Sequence, residues 1–129
     1  MTGINRYRSH QVHSASKPQV LVMLYEEAIR QLIVAADDLD AGEGPQAWPK
    51  LHKARSILVE LTCALDDQAA PEICANLRRL YQWCMSEVAA GGNEQDPARV
   101  RSVIRVLRTL LDGWRNAIRS TDVLQSAAL

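Results

Sequence analysis

The chain contains no phenylalanine at all, and its other aromatics are only three tryptophans and three tyrosines among 129 residues. Its core must therefore be built from Leu, Ile, Val and Ala, with Trp and Tyr at special points. Net charge is also missing, since 15 Lys and Arg balance 15 Asp and Glu. That balance argues against nucleic acid or an anionic membrane as the main partner. No apolar run approaches the ~18–20 residues of a membrane span, and the N-terminus shows no apolar secretion signal. Cysteines are few: Cys63, Cys74 and Cys84 are odd in number, lack CxxC spacing and read as free thiols of a cytoplasmic protein.

Catalytic and ligand-binding signatures are absent too. There is no P-loop, GxGxxG or HExxH, and no Glu-x-x-His pair of the di-iron bundles. The histidines are His10 and His13 near the start and His52 on a polar helix side. The pairs Glu26-Glu27, Asp37-Asp38 and Asp66-Asp67 do not converge, because neighbouring helix positions diverge by about 100°. The sequence thus predicts no enzyme, no cofactor and no metal site.

What is present is helical punctuation. Residues 1–15 hold polar and basic groups around Ile4, Tyr7 and Val12 with no sustained period, and read as an extended leader. Ser16 with Gln19 forms a capping box, and Pro18 suits a first turn. Helices are expected over about 16–41, 45–66, 71–90 and 97–119, followed by a small, polar tail over 120–129 expected to fray. Gly42 and Gly44-Pro45 stop the first helix, Pro71 opens the third, Gly91-Gly92 ends it, and Asp96-Pro97 opens the fourth. No strand pattern competes. The expected fold is all-α: one antiparallel up-down four-helix bundle with an N-terminal leader.

The first helix carries more apolar surface than one core contact needs. Leu21, Leu24, Tyr25, Ala28, Leu32 and Leu39 form a core stripe, and Val22, Ile29 and Ile33 widen it to about half the circumference, against the ~100° of an ordinary surface helix. Ile57 flanks the stripe of the second helix, and Trp83 lies at the edge of the third. Such flanks either belong to broad buried faces or form grooves that seat a partner's amphipathic helix. On the fourth helix Arg101, Arg105, Arg108, Arg115 and Arg119 share one side, interrupted by Asp112. They read as a solvated face or an anionic contact surface.

Five blocks in order then resemble one family. Tyr7 precedes the helix start Ser14-Ala15-Ser16, and Leu21-Val22-Met23-Leu24-Tyr25-Glu26-Glu27-Ala28 opens the first helix. Lys53 to Leu61, Asn76 to Tyr81, and Leu110 to Trp114 follow. Together they are similar to the flagellar secretion chaperone FliS family, over roughly residues 5–119. Lys17 stands between Ser16 and Pro18 where the family joins Ser to Pro directly, and Glu27 or Ala28 replaces its usual Gly.

The resemblance implies a cytoplasmic export chaperone. Such a protein binds the disordered C-terminal segment of flagellin in apolar grooves, prevents premature polymerisation and assists flagellar type III export. It also implies possible contact with the export gate or a co-chaperone. On that reading the partner-binding residues are Val22, Tyr25, Ile29, Ile33 and Ile57, with Tyr7 as a groove plug. The expected state is a monomer or weak dimer. The alternative is a self-associating structural or adaptor bundle. Aspartate at Ile29 or Ile33 is expected to abolish partner binding without unfolding the chain.

Overall fold

A computed structural model of the chain describes the backbone of residues 17–128 and the side chains of residues 17–120. Four helices follow one another: α1 (Lys17–Asp40), α2 (Gly44–Cys63), α3 (Pro71–Asn93) and α4 (Pro97–Ala128). They pack as an all-α bundle in which α1 and α3 each lie between α2 and α4. The leader, with Tyr7, His10, His13 and the Ser16 cap, lies outside the described residues.

The helix ends follow local chemistry. Gly42 closes α1 in the left-handed conformation at φ 74°. The Glu43 N–H donates to the Asp38 carbonyl at 2.8 Å and the Gly42 N–H to that of Leu39 at 3.1 Å, which satisfies two carbonyls the helix end leaves open. Asp96 caps α4 by accepting from the Ala98 N–H at 3.1 Å. Three boundaries differ by three residues or more from the sequence expectation. The second helix stops at Cys63 rather than near 66. The third helix runs through Gly91-Gly92 to Asn93. Its left-handed closing residue is Gln95, at φ 51°. The fourth continues to Ala128 rather than ending near 119, because residues 120–128 contain neither Gly nor Pro to stop it.

Gly91 serves packing instead of termination. It is buried, and a Cβ there would lie 2.8 Å from Cγ2 of Val100 and 3.2 Å from the Asp96 carbonyl oxygen. Its bare backbone is what lets α4 start close against α3. Gly113 is the opposite case: it is exposed, and a Cβ would meet nothing within 4 Å. Gly113→Ala is therefore expected to stabilise the protein by about 0.5–1 kcal/mol, seen as a higher urea midpoint.

The core is aliphatic, as the lack of phenylalanine requires. Leu32, Leu58, Val103 and Leu107 are fully buried at its centre. Small residues set the spacing: Ala28 and Ala35 on α1 and Ala47 and Ala54 on α2 have no exposed surface. The α1–α2 pair makes the most extensive contact of the four. Ion pairs reinforce that seam, with Lys50 bound to Asp38 and Lys53 to Glu27 at 3.3 Å.

Glu27 ties this seam to pH. Burial raises its pKa, but Arg30, Gln31 and Lys53 outweigh burial and bring it to about 2. A depressed native pKa stabilises the fold above the unfolded value of 4.5. That contribution is lost as pH falls toward 2. Urea midpoints measured from pH 7 to pH 2.5 are expected to drop across this window, and Glu27→Gln to shrink the drop.

Two tyrosines cross the interior. The hydroxyls of Tyr25 and Tyr81 hydrogen-bond at 2.5 Å, with ring centroids 6.4 Å apart. Burial raises both pKa values, so both hydroxyls stay protonated and satisfy each other. The Trp114 indole Nε1 is buried near Tyr25 but falls short of hydrogen-bond geometry. All three cysteines are free; Cys84 is buried and its thiol is pushed up to about 12, which makes it inert.

Candidate partner-binding groove

An open groove of about 470 Å³ runs between α1 and α4. Ile29, Ile33 and Val34 line it from α1, and Leu111 from α4. Charged residues rim it: Glu26 and Arg30 on one side, Arg108, Asp112 and Arg115 on the other. The lining spans about two helical turns on each helix, a length that accommodates a short helical segment.

Ion pairs between α1 and α4 flank the groove. Arg115 reaches Glu26 at 2.9 Å at one end. Arg101 reaches Asp37 at 3.2 Å and also pairs with Asp40 at the other. Between these bridges Ile29, Ile33 and Val34 of α1 line the groove beside Arg30. Val34, placed by the sequence on the polar side of α1, keeps 42% of its surface exposed. Ile33 is half-buried, and Ile29 is 8% exposed.

The other expected binding residues fall elsewhere. Tyr25 is fully buried and Ile57 is 1% exposed, so both are core positions and offer a partner no surface in this structure. Ile57 belongs to the buried core cluster rather than to a surface flank of α2. Tyr25 bonds to Tyr81 across the interior. Val22 is half-buried against the core, two turns before Ile29 and outside the groove lining. Tyr7 lies outside the described residues. The groove members not expected from the sequence are Glu26, Arg30 and Val34 on α1 and Arg108, Leu111, Asp112 and Arg115 on α4. Leu111, 4% exposed, is core as its periodicity suggests and reaches the groove only as its floor, and the arginines read as a solvated face or an anionic contact surface until their partners on α1 are seen.

A smaller hollow of about 90 Å³ lies between α2 and α3, beside Trp48, which is 56% exposed. Among the described residues no group of His, Cys, Asp and Glu is arranged to hold a metal ion. None of the described helices is long and apolar enough to cross a membrane.

Comparison with known proteins agrees with this architecture. A solved bacterial flagellar chaperone superposes with a TM-score of 0.76 at 20% identity, covering 93% of this chain and 98% of its own. That likeness concerns the fold. In sequence, the flagellar secretion chaperone FliS of Escherichia coli is 27% identical over 119 residues, 88% of this chain and 85% of that protein. The FliS of Vibrio cholerae is 27% identical over 104 residues, 81% of this chain and 76% of its own. The FliS of Campylobacter jejuni is 26% identical over 121 residues, 94% of each chain. The family model described as flagellar protein FliS matches residues 1–121. The chain therefore belongs to the FliS family of flagellar proteins.

Proposed function

We propose that this protein is a cytoplasmic flagellar export chaperone that binds the disordered C-terminal segment of flagellin in the α1–α4 groove. Binding withholds that segment from premature polymerisation and delivers flagellin to the flagellar type III export apparatus. The observation that carries the reading is the open groove between α1 and α4, floored by the buried Ile29 and Leu111 and edged by half-buried Ile33 and exposed Val34. Relatives named flagellar secretion chaperones support the chaperone role. A disordered client must offset its own ordering cost by burying apolar surface, and a groove between helices supplies that surface. The reading needs no catalytic step.

Light scattering on the chain mixed with flagellin tests it. The expected result is a discrete complex of one chaperone with one flagellin. A stable homodimer that flagellin does not dissociate would instead make the groove a self-association face.

A further inference from the structure

The bridges that flank the groove form an incomplete ladder. On α4, Arg101, Arg108 and Arg115 recur every seven residues and so share one side of the helix. On antiparallel α1, Glu26, Ile33 and Asp40 recur at the same interval. Arg115 pairs with Glu26 and Arg101 with Asp40. These two outer rungs fix the register of the helices. The middle rung then sets Arg108 opposite Ile33, and both line the groove. A cation stands there with an apolar residue where each neighbouring rung has an acid. Arg108 is exposed and makes no ion pair among the described residues. It stands at the groove rim beside Ile33 and Leu111 and one turn before Asp112, where a docked segment would cover it, a position that a merely solvated arginine lacks.

We propose that Arg108 is a specificity residue, and that the docked segment supplies the missing carboxylate. The recognised segment is a short amphipathic helix with an Asp or Glu facing Arg108. Apolar residues one turn to either side of that acid rest on Ile29, Ile33, Val34 and Leu111. Docking strips water from Arg108, so a segment without the acid leaves a desolvated, unpaired cation and is rejected. Steering by the same charge raises the rate of encounter and makes it depend on salt. This inference rests on the groove-docking reading above.

The test titrates a synthetic C-terminal flagellin peptide into the wild-type chain, Arg108→Gln and Arg105→Gln. Arg105 is exposed and outside the groove. Arg108→Gln is expected to fold normally by circular dichroism, since it breaks no ion pair, and to bind about tenfold more weakly with a flatter salt dependence. Arg105→Gln is expected to bind as wild type. Peptides with each Asp or Glu changed in turn to its amide are expected to reveal one position whose loss is not additive with Arg108→Gln. Unchanged affinity and salt dependence in Arg108→Gln, while the wild-type chain binds, overturns the assignment of Arg108 and leaves groove docking intact. Additivity at every acidic position of the peptide overturns it equally. If the wild-type chain does not bind the peptide, groove docking and this inference fall together.

Discussion

Aspartate at Ile33 is expected to leave the bundle folded and to weaken capture of the flagellin C-terminal segment by roughly thirtyfold or more, the loss of one hot-spot side chain worth about 2 kcal/mol. Aspartate at Ile57 is expected to unfold the protein. The two positions look alike in sequence, each an isoleucine on the flank of an apolar stripe. In the structure they differ in what surrounds them. Ile33 is half-buried at the groove, with Arg108 lining the same space, so a carboxylate there keeps water and gains a cation. Ile57 is 1% exposed within the tightly packed core. A charge placed there must be desolvated without a partner or be neutralised, and either way the packing is lost. Ile29 joins Ile57 in this respect. At 8% exposure it is largely core, so aspartate there costs fold as well as binding, contrary to the sequence expectation for that position. Circular dichroism melts and calorimetric titration separate the two outcomes.

Gly91→Ala is the second large effect, expected to destabilise the chain by about 1–3 kcal/mol. Alanine is normally the better helix residue by up to ~1 kcal/mol, so the sign depends wholly on space. At Gly91 the new methyl would lie 2.8 Å from a branched valine methyl and 3.2 Å from a backbone oxygen, neither of which is the loose end of a flexible side chain. The start of α4 must move, or α3 must. At Gly113 the same substitution meets open space. Opposite shifts of the urea midpoint from one chemical change would show that close approach, and not helix propensity, sets the requirement at Gly91. Adding Val100→Ala to Gly91→Ala is expected to cost less than the two single changes summed, because the contact they share is then relieved only once.

Much of the fold could be read directly from local signals. Gly42, Pro71 and the Asp96-Pro97 pair mark helix ends through backbone chemistry that does not depend on tertiary contacts. The apolar stripes gave the core because a bundle buries one face of each helix. What was not legible depends on distances between helices. Ile57, a flank position in the sequence, is 1% exposed once the helices are assembled. Tyr25 was legible as a core-stripe residue, but its hydroxyl bond to Tyr81, 56 residues away, was not. The groove itself was half legible. Ile29 and Ile33 were identified from the width of the apolar arc, but Leu111 and Arg108 enter only through the antiparallel pairing of α1 with α4. A signal for that pairing did exist in the matching seven-residue spacing of Arg101, Arg108 and Arg115 with Glu26, Ile33 and Asp40. It becomes readable once the two helices are taken as neighbours.

The central claim is that this bundle folds a disordered flagellin segment onto an apolar groove. Isothermal titration of the C-terminal flagellin peptide into the chain, repeated at several temperatures, tests it most directly. The account predicts binding at micromolar concentrations or below, a heat-capacity change that is clearly negative, and a gain of helix in the peptide. Absence of binding at micromolar concentrations, or full-strength binding to Ile33→Asp, would contradict it.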